Sequence, residues 1–312
     1  MLRIGLNVAA GLPSAAQLHA TGRTVVDELV ARTRAAAAAG LPTAWLPQGY
    51  SSDTLTLLAA LAREVPDIEL GASVVVVQPR HPRVLAAQAL TVQAASRGRL
   101  ALGLGVSHPG LLEVYHIPFD RPVRALRRHL DTLLPILEGR AVPGSSGPGS
   151  GPDDTAVPGA EPPVPVLLGA LGPVMLQLAG ERTAGTITFL AGPRTLGDHV
   201  VPLVTKAADE AGRGAPRVVA GLPVAVTDRP DAVRARVAAE YAELAALPSY
   251  RAALDRDGFA DGGDIVIAGT EDDVAAGLAR YADLGVTDAL VSLVGGAEER
   301  DRTRAVLGAL TT

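Results

Sequence analysis

The sequence contains no cysteine, which excludes disulfides, thiolate catalysis and Cys-ligated zinc or iron–sulfur centres. Lysine is nearly missing. Lys206 is the single lysine among 28 basic residues, a bias expected of a GC-rich genome. Positive charge is in the minority, with a formal net charge of −5, so neither nucleic acid nor an anionic membrane is the expected partner. No apolar run reaches about 18 residues without a charge, Pro or Gly, which argues against a membrane span. The opening MLRIGLNVAAGLPS breaks at Gly11 and Pro13 before a signal-like apolar segment forms. The expectation is a soluble, cytoplasmic protein.

Several enzyme signatures are missing too. The six histidines form no His-x-x-x-His pair and there are no clustered carboxylates, so no metal site is expected. No Gly-x-Ser-x-Gly occurs, which removes the nucleophile elbow of a serine hydrolase. Paired carboxylates of the glycosidase kind are not evident.

What is present is a regular alternation. Of 312 residues, 48% are hydrophobic, enough for a sizeable core. Leu2, Ile4, Leu6 and Val8 alternate with Arg3, Gly5 and Asn7, predicting a first strand. A helix is predicted over 24–39, then a strand at 43–46, a helix over 54–64 opened by Asp53, and a valine-rich strand at 68–77. A helix follows from His81-Pro82, then a strand at 99–104 and an amphipathic helix over 122–138. Residues 139–163 interrupt the pattern, with twelve Gly or Pro in 25 positions. The rhythm then resumes, with strands at 164–168, 185–190, 217–226 and 289–293. The intervening helices fall at 173–183, 195–212, within 230–256 and at 270–284, and a last one at 297–310. Eight strands separated by helices imply a (β/α)8 TIM barrel, with a doubly wound open sheet as the alternative. The expected organisation is one domain over 1–312, a Gly/Pro-rich insertion at 140–163 and a lid segment at 227–268. Tyr241, Tyr250 and Phe259 lie in that segment, in a chain with few aromatics; packing of the extra helices onto the barrel is the other reading of these rings.

In such a barrel the chemistry lies where strands end. The positions are Asn7, Pro47-Gln48, Ser73 to Gln78, Val106-Ser107-His108, Gly169 to Gly172, and Phe189 onward. Few are strong acids, bases or nucleophiles, which suits a cofactor that brings its own reactivity. Gly103-Leu104-Gly105 follows a strand but lacks the third glycine of a dinucleotide loop, with His108 in its place; close packing of the glycines is the other reading. Gly169-Ala170-Leu171-Gly172-Pro173 reads either as a tight turn or as a phosphate cradle at a helix N-terminus. Asp53 reads as a helix cap, and Arg80 and Arg194 as solvated arginines or anion contacts.

The run GASVVVVQPRHPRVLAAQALTVQAASRGRLALGLGVSH resembles the luciferase-like monooxygenase superfamily, closest to its coenzyme F420-dependent oxidoreductases. VPVLLGALGPVMLQLAGERTAGTIT and EDDVAAGLARYADLGVTDALV resemble the same family. The resemblance implies a luciferase-like barrel with cofactor at the mouth and a non-proline cis peptide at Ser73-Val74. It implies ring contacts from Val106, Ser107 and His108 and a phosphate turn at Ala170, Leu171 and Gly172. Gln48 falls where some relatives carry a histidine, and His108 near where some carry a glutamate, so sugar-phosphate oxidation does not transfer. Thr183-Ala184-Gly185 departs from the family's Ala-Asp-Gly, and the Gly/Pro stretch replaces a usual hairpin.

The expected function is an F420H2-dependent reductase acting on a C=N or C=C bond, with a small-molecule substrate as partner and F420 as cofactor. His108 and Gln48 are the catalytic candidates. Asn7, Ser73, Val74, Val106, Ser107, Ala170, Leu171 and Gly172 are the cofactor-binding candidates. FMN-dependent monooxygenation and non-catalytic ligand binding stay open as alternatives, as does a homodimer.

Overall fold

The computed structural model describes residues 2–147 and 150–311. Pro148 and Gly149 of the expected insertion, and the two end residues of the expected 1–312 domain, lie outside the described residues. The chain opens with β1 (Arg3–Asn7), α1 (Ala15–Ala20), α2 (Val25–Ala38), β2 (Thr43–Leu46) and α3 (Thr54–Glu64). It continues through β3 (Glu69–Val76), α4 (Pro82–Ser96), β4 (Leu100–Gly105), α5 (Pro109–Val114), α6 (Pro122–Leu137), α7 (Pro152–Thr155) and β5 (Val166–Gly169). Then come α8 (Pro173–Arg182), β6 (Gly185–Phe189), a π-helical turn (Thr195–Val200) running into α9 (Val201–Glu210), and β7 (Arg217–Val226). The last elements are α10 (Pro230–Ala245), α11 (Pro248–Asp257), β8 (Ile267–Gly269), α12 (Glu271–Asp283), β9 (Asp288–Leu293) and α13 (Ala297–Ala309). The eight expected strands form as β1–β7 and β9. The short β8, at the end of the expected lid, is an addition.

Local chemistry sets the element ends. Thr24 and Thr270 form reciprocal capping boxes with Asp27 and Asp273, and Asp53 accepts from Thr56 N at the start of α3, as expected of it. The helix expected over 195–212 instead begins with the π turn. Pro202 has no N–H to continue the α ladder, and Val201 donates to Leu196, five residues back.

The chain divides into two compact units, 46–169 and 1–45 with 170–312. In the first, β3, β4 and β5 pair in parallel, with Leu70 opposite Leu100 and Leu102 opposite Val166. All of β4 is buried, as a parallel strand covered on both faces requires. The insertion carries no strand among its described residues. It is tied to α4, where Gln93 Nε2 donates to Pro162 O at 2.5 Å while Gln93 Oε1 accepts from Leu100 N.

In the second unit β1 pairs with β2 and β9, β7 pairs with β9, β6 and β8, and all these pairings are parallel. At the strand starts Arg217 of β7 grips the buried Asp288 of β9 at 2.6 and 3.3 Å. Its guanidinium lies 5.9 Å from the ring centre of the buried Trp45. This ion pair ties the start of β7 to the start of β9.

Candidate functional site

The unit 46–169 holds the ends of β3, β4 and β5. Between Ala72 and Val75 the β3–β4 register slips by one residue, a bulge at Ser73 and Val74. The Ser73–Val74 peptide is cis, as the resemblance implied. A Cβ on Gly105 would lie 2.6 Å from Val74 Cγ2, and one on Gly169 3.7 Å from both Val74 methyls. Gly105 thus makes room for the bulged valine, whereas a Cβ on Gly169 would be in ordinary contact with it. For Gly105 this decides between the two readings of the Gly103-x-Gly105 pair: it is there for close packing, against a side chain on another strand.

Beside the bulge, Gln78 Nε2 donates to Val106 O at 2.7 Å, while Gln78 Oε1 is buried without a partner. Ser107 holds a positive φ of 58°, uncommon for a non-glycine residue. His108 caps α5 with its backbone only, leaving the half-buried imidazole free of any capping bond.

Gln48 is more constrained than the sequence suggested. Its Nε2 donates to Gly49 O at 2.9 Å and Ser52 O at 3.3 Å, and its Oε1 accepts from Arg80 at 3.0 Å. Arg80 also pairs with Asp53 and donates to Val76 O, so it is not a solvated arginine. Burial pushes the Asp53 carboxyl up, but the Thr56 N–H and hydroxyl together with Arg80 outweigh it and hold it below the usual range. Gln48, Arg80 and Asp53 therefore form one mutually satisfied clasp over the loop after β2.

The other unit holds Asn7 and residues 170–172, which follow β5 in the chain. Asn7 Nδ2 donates to Ser292 Oγ at 3.0 Å and its Oδ1 accepts from Ala9 N, which fixes the amide orientation. In the turn, Ala170 N donates to Ile187 O at 3.2 Å and is therefore not free for a ligand. Leu171 O accepts from His199 at 2.9 Å; a carbonyl only accepts, so His199 carries its proton on Nε2. Gly172 is the N-cap of α8, followed by Pro173, with no side-chain cap. Its φ is −82°, open to any residue, and a Cβ there would meet nothing within 4 Å. Neither backbone nor packing demands glycine, and the space in front of the helix N-terminus is open.

One arrangement escaped the sequence reading. Asp257, at the end of α11, is buried and accepts from Gly192 N, Arg194 N and Thr195 N at 2.9, 2.8 and 3.1 Å. Nearby, Phe189 at the end of β6 meets Tyr241 and Tyr250 edge-on, at centroid distances of 5.2 and 6.1 Å. These rings and Phe259 pack on Leu190, Leu254 and Ile265. Burial, with the Glu240 charge, pushes the Tyr241 phenol up to about 12. The only sequence signal for this cluster was the rarity of aromatics. Among the described residues no group of three or more His, Asp or Glu could hold a metal ion, and no helix is long and apolar enough to cross a membrane.

The profile of the luciferase-like monooxygenase family matches residues 6–288, and the chain belongs to that family. A Mycobacterium tuberculosis protein, named provisionally a coenzyme F420-dependent oxidoreductase, is 33% identical over 184 residues, covering 54% of this chain and 52% of that protein. The chain spans about half the length of the curated relatives it matches. The F420-dependent tetrahydromethanopterin reductase of Methanopyrus kandleri superposes with a TM-score of 0.73 at 21% identity, covering 91% of this chain and 94% of the reductase. The oxygenating constituent of the Pseudomonas putida 3,6-diketocamphane monooxygenase, solved with FMN, gives 0.74 at 16% identity, covering 100% and 97%. The fold is the closed, eight-stranded parallel (β/α)8 barrel of this family.

Proposed function

We propose that the protein is an F420H2-dependent reductase acting on a C=N or C=C bond of a small organic substrate. The observation that carries the reading is the uncapped helix N-terminus at Gly172, with clear space before a glycine that nothing else requires. Free N–H groups and the helix dipole there suit an anionic phosphate. The clasp of Gln48, Arg80 and Asp53 supports it further: with these groups satisfied by one another, reactivity has to arrive with a bound group. Within the unit 46–169, the unpartnered Gln78 Oε1 offers a buried acceptor. The name of the mycobacterial relative points to the same cofactor.

When bound, reduced F420 supplies a hydride. The chain's own residues bind, orient and exclude water. Val74, backed by Gly105 and Gly169, offers an apolar surface for a flat ring, with Ser73, Val106 and Ser107 beside it. Leu171 and Gly172 form the phosphate turn, with Ala170 N already committed to Ile187 O, and Asn7 is a further polar contact. His108 donates a proton from a ring N–H to the substrate atom that does not receive hydride. Gln48 keeps the loop after β2 closed, and the 227–268 segment shapes substrate choice. This reading sets the protein in the cytoplasm with a small-molecule partner and no nucleic acid or membrane; a homodimer is checked by size-exclusion chromatography.

A second reading, FMN-dependent monooxygenation, is favoured by the FMN complex of a similar structure. Parallel equilibrium titrations with F420 and FMN, read by fluorescence, separate them. The reductase reading expects F420 to bind at about micromolar Kd or tighter, with FMN about tenfold weaker or worse. The reverse order supports the monooxygenase. Binding of neither cofactor overturns both.

A further inference from the structure

The chain after β6 turns three backbone N–H groups, those of Gly192, Arg194 and Thr195, toward a single point. The Asp257 carboxylate occupies it, with Oδ2 on Gly192 and Oδ1 on Arg194 and Thr195. One helical turn earlier on α11, Ala253 O accepts from Thr195 Oγ1 at 2.9 Å. A Cβ on Gly192 would lie 2.6 Å from Asp257 Cγ and 2.5 Å from Phe259 Cε2, so the fit requires glycine at 192. Gly258, at φ 77°, ends α11 directly after Asp257 and turns Phe259 back into the aromatic cluster. A buried carboxylate accepting three N–H bonds is among the stronger polar contacts a fold can make. It is also what a bound anion does at such backbone, supplied here from within the chain.

We propose that Asp257 is a positioning residue, a built-in anion whose seating fixes α10–α11 as a rigid wall against the loop after β6 and thereby sets which substrates are admitted. The substrate half rests on the reading that residues 227–268 shape substrate choice. The seating half does not.

The test uses the full chain, with Asp257→Asn as the near-isosteric variant and Asp257→Gly as the emptied seat. Hydrogen exchange is followed at residues 192–195 and 248–265. Exchange there should accelerate about tenfold or more in both variants, since buried donors lose a charged acceptor. In Asp257→Gly, sodium formate should restore protection, because the free carboxylate fits the emptied seat, while sodium chloride at equal ionic strength should not. A purely packing role would not respond to formate. If Asp257→Gly does not fold, Asp257→Asn alone decides the seating claim. Unchanged exchange in a folded variant overturns the seating claim, as does equal rescue by chloride and formate. For the substrate half, Asp257→Asn should keep F420 affinity within about twofold while the relative rates for a small and a bulky enone change about fivefold or more. Unchanged relative rates overturn that half. Failure of wild-type protein to bind F420 overturns the proposed function instead and leaves the exchange result standing.

Discussion

Two neighbouring strand ends use the same backbone device in opposite ways. After β5, the N-terminus of α8 at Gly172 has no side-chain cap and open space before it. After β6, the N–H groups of Gly192, Arg194 and Thr195 converge on one point, and Asp257 fills it. Converging N–H groups therefore do not by themselves mark a ligand site. What matters is whether the fold has already supplied the acceptor. Each glycine fits its setting. Gly192 is required by the carboxylate and ring pressed against it, whereas Gly172 is required by nothing within the chain.

The comparison holds only where the fold is intact, and one buried group limits that range. His129 on α6 is buried with Nε2 unpartnered, and burial, with the nearby His81, lowers its pKa to about 4. The unfolded chain takes up this proton near its ordinary value of 6.5, while the folded chain resists until about 4. Stability is therefore full above about pH 6.5 and falls as the pH drops toward 4, by up to roughly 3 kcal/mol. Denaturant melts across that window should show the slope, and His129→Leu should flatten it. Anion-binding tests belong above it.

A smaller effect is expected at the filled end. Gly192→Ala puts a methyl against Asp257 and Phe259 and should cost about 2 kcal/mol or more, read as a lower denaturation midpoint. At the open end, Gly172→Asp should weaken F420 binding about tenfold, near 1.4 kcal/mol, by repulsion and bulk. Its melting behaviour should stay close to wild type. The smallest change belongs to Gly172→Ala, whose stability should match wild type within about 0.5 kcal/mol, because the added methyl meets open space. Equal destabilisation by alanine at 172 and 192 would erase the distinction between the two ends.

The sequence made the strand–helix rhythm legible because its signals are local. Hydrophobic period and caps such as Thr24 and Asp53 act within a few residues. Short elements were not legible: α1, α5 and β8 run three to six residues, too few for a period to register. Gly105 could not be resolved from its own strand, since its reason is Val74 on the neighbouring one. Arg80 looked like a solvated arginine because its partners Gln48 and Asp53 lie 32 and 27 residues away. The Asp257 seat was invisible for the same reason, with donors 62 to 65 residues away along the chain. The bulge at Ser73–Val74 was anticipated through the family resemblance, whereas its strand alone read as an ordinary buried run.

The most direct test of the open and the filled end is a single titration. Isotope-labelled protein is titrated with F420 above pH 6.5, and the backbone amide resonances of both loops are followed by NMR. The account predicts large shifts at Gly172 and Val174 that saturate with the fluorescence-derived Kd, with Gly192, Arg194 and Thr195 nearly unmoved. Shifts centred on 192–195, with Gly172 and Val174 silent at saturation, would contradict it.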